Sequence, residues 1–258
     1  MAEDAALGAL IALVVATFTT PVGISGAVFL VPVEVSVLGV PSPAVTPTNL
    51  LYNLVAIPGA LAQYARQGRL GGPLARLLVL GTLPGVVAGA VIRVEYLAGP
   101  EAFYLVIAAV LVPLGAWLAL APPPKARAEP SREPDRRIAA LALAVGVVGG
   151  VYGIGGGSIL APTLVGLGFG VAEVTPAALM STFLTSIAGV ATYAVLSLDA
   201  PGDVAPEWGT GLAIGAGGLV GGTIGARFQD RLPEPMLRRG LGLIALALGA
   251  RYAVVGLT

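Results

Sequence analysis

The sequence predicts an all-α polytopic membrane protein with two inverted-topology repeats of about five helical segments each, whose Gly-interrupted half-helices meet near mid-membrane. Three observations predict it. Of 258 residues, 56% are hydrophobic and 11% charged, with mean hydropathy +0.91, whereas soluble domains carry about 25% charge. The apolar residues fall into ten runs. The first five runs are echoed in the last five. The 37 Gly and 21 Pro fit membrane helices, where both are commoner than in soluble ones. The same composition excludes other classes. Fourteen Lys+Arg balance fourteen Asp+Glu, so no basic face is offered to nucleic acid. Without His or Cys, the chain lacks thiolate catalysis, disulfides, His-based acid/base chemistry and most zinc or haem sites. No enzymatic activity, cofactor or metal is expected.

In order, the apolar runs are 5–20, 24–40, 43–65, 72–92 and 102–121, then 138–153, 155–170, 174–198, 209–227 and 236–257. A spanning helix needs about 20 such residues, and Gly, Pro or charge clusters mark the breaks. Run 5–20 follows Met1-Ala2-Glu3-Asp4, which lacks the positive start of a cleaved leader, so it is read as part of the fold. The pairs within 5–40 and 138–170 are each short of two full spans, which leaves broken spans and re-entrant hairpins both open. Runs 43–65 and 174–198 are full length with small polar residues inside. Runs 72–92 and 209–227 carry glycine at every fourth position, the small-residue face of a tight helix crossing. Runs 102–121 and 236–257 close each half. The one long hydrophilic piece, 122–137, is Pro-rich and charged. It is read as a cytoplasmic linker between a first repeat, 1–121, and a second, 138–258.

The repeat rests on three blocks. At an offset of 130, Gly23-Ile24-Ser25-Gly26-Ala27 lies on Gly153-Ile154-Gly155-Gly156-Gly157, and Leu30, Pro32 and Val35 match Leu160, Pro162 and Val165. Pro47-Thr48 then faces Ser181-Thr182 at an offset of 134, and Gly81, Gly85 and Gly89 face Gly217, Gly221 and Gly225 at 136. Charge orients the halves, because cytoplasmic loops carry the Lys/Arg excess. Arg66, Arg69 and Arg76 put the loop after the third run inside. Lys125, Arg127, Arg132, Arg136 and Arg137 do the same for the linker, and Arg227, Arg231, Arg238 and Arg239 for the loop after the ninth run. The loops bearing Arg93, Glu95 and Glu101, and Asp199, Asp203 and Glu207, go outside. Corresponding loops thus fall on opposite sides, as in many secondary transporters. The expected location is the cell membrane, multi-pass, with both termini outside.

The candidate site follows from the breaks. Short segments interrupted by Gly at matching positions of two halves point to a transport site. A helix starting after each break turns its N–H groups and positive dipole end toward it. Two such ends facing each other would bind an anion with no Lys or Arg. The expected donors are the backbone of Ser25, Gly26, Ala27, Gly155, Gly156, Gly157 and Ser158, with the side chains of Asn49 and Thr182. Asn53, one turn from Asn49, and Thr185 would line the same cavity. The alternative is a close helix crossing that simply needs small residues. Gly156→Val is expected to cost binding more than folding if the site reading holds. A phosphate loop is excluded, since no Gly-Lys-Ser/Thr follows. Glu34 is the one acid deep in an apolar run, and a membrane carboxylate is costly and functional by default. It is a proton-coupling candidate. Placement at the interface or pairing with an Arg are the competing readings.

Gly153-x-Gly155-Gly156-Gly157-Ser158, then Pro162, then Ser181-Thr182, resemble the second half of the TauE/SafE family of sulfite and organosulfonate exporters. The first half is a degraded copy, with Ser25 and Ala27 in place of glycines and Pro47-Thr48-Asn49 at the small-polar helix start. The resemblance covers essentially the whole chain and implies export of small oxyanions or sulfonates, such as sulfite or sulfoacetate. The expected function is a secondary transporter of small anions. An anion channel using the same half-helix site is the alternative. Expected partners are a small anionic substrate and membrane lipid, with no nucleic acid. A homodimer is left open.

Overall fold

Each apolar run becomes a helix, and proline sets where several of them begin. The computed structural model describes residues 2–97, 99–120, 136–200, 204–231 and 233–258. Ten α-helices lie among the described residues: α1 Ala2–Thr19, α2 Ala27–Ser36, α3 Ser42–Arg66, α4 Pro73–Tyr96, α5 Pro100–Leu120, α6 Arg136–Tyr152, α7 Gly157–Gly166, α8 Val171–Leu196, α9 Trp208–Phe228 and α10 Glu234–Leu257. Helices α3, α4 and α10 start with Pro at the first or second position, where a missing N–H costs nothing. The expected linker lies outside the described residues over 122–135, while Arg136 and Arg137 are already helical and open α6.

Among the described residues six helical segments are long and apolar enough to cross a membrane: Glu3–Val22, Pro73–Tyr96, Pro100–Leu120, Val171–Leu196, Trp208–Phe228 and Pro235–Leu257. Large apolar side chains such as Leu10, Leu80, Leu212, Leu243 and Val254 are exposed on them, a surface that suits lipid and not water. Helices α2 and α7 have ten residues each. At about 1.5 Å per residue they are about 15 Å long, half a bilayer core. They begin where the chain turns through left-handed backbone at Gly23 (φ 77°) and at Gly153 (φ 87°) and Gly155 (φ 62°), conformations that favour glycine.

The glycine faces pack in register. On α4, Gly81, Gly85 and Gly89 sit against the carbonyls of Ala139, Leu143 and Val147 on α6. On α9, Gly217, Gly221 and Gly225 sit against those of Ala9, Leu13 and Thr17 on α1. Both pairs run parallel, because the contacts advance together along each helix. Ala9, Leu13 and Thr17 are 130 positions before Ala139, Leu143 and Val147, the same offset that relates the two breaks. Each half therefore lays its glycine helix on the first helix of the other half. Helices α5 and α10 pack antiparallel, with Gly115 against Gly242 and Gly256 against Leu105.

One expected correspondence is not what the structure builds. The peptide of Thr46 lies against Gly153, and Thr175 lies against Gly23. The equivalent stretches are therefore Val45-Thr46-Pro47 and Val174-Thr175-Pro176, offset by 129, and not Pro47-Thr48 with Ser181-Thr182. In that register Asn53 corresponds to Thr182.

Candidate functional site

The two breaks touch. The Ser25 N–H donates to Ser158 Oγ at 3.1 Å, across 133 positions of sequence. At the first break Ser25 Oγ accepts the Ala27 N–H at 3.2 Å, capping α2, and donates to Asn53 Oδ1. At the second, Thr182 Oγ1 accepts the Gly157 N–H at 3.1 Å, so α7 is capped from α8. The starts of α2 and α7 thus lie side by side, each bringing about half a positive charge within its first turn. The opposite pole is covered. The last carbonyls of α6 have no partner within their helix, and side chains supply two: Tyr193 Oη donates to Gly150 O at 2.9 Å and Thr46 Oγ1 to Val151 O at 3.1 Å. Just past the helix, Asn53 Nδ2 donates to Gly153 O at 3.5 Å. Inside α2, Pro32 cannot donate to Val28 O, and Tyr152 Oη donates there instead at 3.0 Å.

Ser25, Gly26, Ala27, Asn53, Gly155, Gly156, Gly157, Ser158 and Thr182 are all brought to this junction, and Ser25, Asn53, Ser158 and Thr182 are buried. Asn49 is there with its donor engaged: Nδ2 reaches Ala27 O at 2.9 Å, while the buried Oδ1 has no hydrogen-bond partner among the described residues. Thr185 points its hydroxyl back along its own helix to Ser181 O at 2.7 Å, so no hydrogen bond ties it to either break. A Cβ on Gly156 would run into the Thr82 side chain of α4, and one on Gly157 into the Ala178 carbonyl. Valine at 156 would therefore disturb folding as well as binding, and the expected separation of the two does not hold. These glycines serve packing whatever else they do.

Glu34 and Arg93 are both buried. Among the described residues Glu34 has both carboxylate oxygens unpartnered, so it is not paired with an Arg. Arg93 is not a loop charge. It sits inside α4 at 1% exposure, 4.1 Å above the centroid of the Phe103 ring, and donates to Ser42 Oγ at 2.9 Å and to Thr46 Oγ1 at 3.4 Å. Ser42 O and Leu97 O accept from it as well. Thr46 in turn contacts Gly153, so a full positive charge stands one residue from the second break. The signal was a lone Arg ahead of the Glu95-Tyr96 end of an apolar run, where a charge reads as the end of the run.

A small cleft leads away from the first break, lined by Ser25, Gly26, Tyr52, Ala56, Ala60 and Thr20 among others. Positions 52, 56 and 60 advance along α3 toward its Arg66 end. Among the described residues no group of His, Cys, Asp or Glu is arranged to hold a metal ion.

A family model described as sulfite exporter TauE/SafE matches residues 8–252. No curated protein and no solved structure matches the chain. The match begins in α1, takes in both breaks and ends in α10. A correspondence that long leaves neither half outside it: this multi-pass membrane protein belongs to the sulfite exporter TauE/SafE family.

Proposed function

We propose that the protein is a secondary transporter that exports small anions, with sulfur oxyanions or organosulfonates as substrates and the junction of the two breaks as their site near mid-membrane. The contact of Ser25 with Ser158 carries this reading, because it joins the starts of two half-length helices from opposite halves. Burying a bare anion costs several kcal/mol or more unless donors and positive potential replace water. Two adjacent helix starts supply positive potential, Arg93 near the second break adds to it, and the Ser25, Ala27 and Gly157 N–H groups would exchange their present partners for the anion. A cation would meet the unfavourable end of each dipole.

The parallel packing of α1 on α9 and of α4 on α6 supports the inverted repeat, since the loop charges require those relative directions. The small cleft beside the first break lies toward the Arg66 end of α3, the end that the Arg-rich loop assigns to the cytoplasm.

The test uses purified protein in liposomes and a panel of sulfite, thiosulfate, sulfoacetate, taurine and sulfate. A loaded anion is expected to drive counterflow of the same labelled anion. Conductance without counterflow would replace the carrier by a channel. Absence of movement for every member of the panel would defeat the substrate class.

A further inference from the structure

We propose that Glu34 is a proton-binding site that couples anion transport to the proton gradient. The inference deepens the carrier reading and rests on it. The first observation is the state of the side chain. Glu34 is fully buried on α2, and neither oxygen has a hydrogen-bond partner. Buried polar groups are almost always satisfied, and an exception calls for an explanation. Among the described residues no cationic group bonds to this one. Its ionisable neighbours are Tyr52 of α3 and Tyr152 of α6. From α10, Tyr252 bonds Ser36 at 2.6 Å and Pro32 O at 3.1 Å, at the same end of α2, and Tyr104 of α5 packs on Tyr252. Glu34 also lies in the C-terminal half of α2, toward the pole of a helix that repels an anion.

The second observation is an internal control. The counterpart of Glu34 in the other half is Leu164, and it too is fully buried. An apolar side chain thus satisfies the packing demand of this position, so packing does not account for the acid. The third is location. Glu34 is seven residues after Ala27, two turns down the same face of the helix that starts at the first break. Tyr52 connects the two places. Its hydroxyl lies against Gly26, its side chain lines the cleft, and it interacts electrostatically with Glu34. A group at Gly26 that displaces Tyr52 changes the surroundings of the carboxyl. The proton then joins or leaves a single carboxyl oxygen, with water on one side of the membrane as donor and water on the other as acceptor.

The experiment measures sulfite in proteoliposomes in two modes, exchange at equal pH and net movement driven by a pH gradient. Glu34→Gln is expected to keep exchange within about twofold of wild type and to lose at least about 90% of the gradient-driven movement. Glu34→Leu, which copies Leu164, should behave alike, and Glu34→Asp should restore coupling. Gradient-driven movement at the wild-type level in Glu34→Gln or Glu34→Leu overturns the proposal while exchange persists and the carrier reading stands. Loss of exchange in wild type itself would instead overturn the carrier. Should the uncharged variants fail to fold, infrared spectra of wild-type protein decide. A buried carboxyl band that changes with pH or on adding sulfite supports the site, and a band indifferent to both overturns it.

Discussion

Thr182 and Asn53 hold the two breaks from equivalent positions of α8 and α3, and the bonds they make give the site its shape. Thr182→Val is nearly isosteric, yet it leaves the buried Gly157 N–H without its acceptor. An orphaned buried donor costs about 1–3 kcal/mol, so the thermal midpoint of the purified variant should fall, and sulfite affinity should fall with it. Thr185→Val removes only a bond within its own helix and should leave affinity at the wild-type value. Equal losses of affinity at 182 and 185 would remove Thr182 from the site. The breaks were legible in sequence because left-handed backbone leaves glycine as its trace at Gly23, Gly153 and Gly155. Arg93 was not, because its partners Ser42 O and Leu97 O are carbonyls, which every residue carries and no sequence displays. At Thr185 the sequence shows a polar residue one turn from Thr182 but not the direction of its hydroxyl, which bonds back to Ser181 O in its own helix.

The helices divide by what their glycines touch. Gly85 and Gly221 lie against Leu143 O and Leu13 O on neighbouring helices, and a Cβ on either would collide with backbone, which cannot swing aside as a side chain does. Gly85→Val or Gly221→Val should abolish monodisperse protein on size exclusion in detergent. Gly240, inside α10, has nothing within 4 Å of where a Cβ would stand. Gly240→Ala should leave the thermal midpoint unchanged or raise it, by up to about 1 kcal/mol of helix propensity. A collapse of Gly240→Ala, or tolerance of Gly85→Val, would contradict this division. Run 72–92 and helix α4 Pro73–Tyr96 agree closely, as do 102–121 and α5 Pro100–Leu120, because length and hydropathy fix a helix that faces lipid. The partner of each helix was beyond reach. The faces Gly81/85/89 and Gly217/221/225 announce a close crossing without naming α6 or α1.

For the whole molecule, direction in the membrane is the property still to be measured, and a chain without Cys makes the measurement clean. Gln67, exposed just after α3, is expected on the cytoplasmic side, and Ser197, just after α8, on the other. With Gln67→Cys in intact cells, an impermeant maleimide should label only after the membrane is opened. Labelling before that would invert the scheme. The exchange of first helices between the halves has a further consequence, for biogenesis. Helix α1 leaves the ribosome well before α9, yet the glycine face that holds it belongs to α9, made some 190 residues later. Until then α1 must wait in lipid or with a chaperone, and α4 waits in the same way for α6. The glycine contacts thus tie the first helix of each half to the other half. A gene cut between the repeats should therefore yield two fragments that are each degraded when made alone, and that survive only when made together.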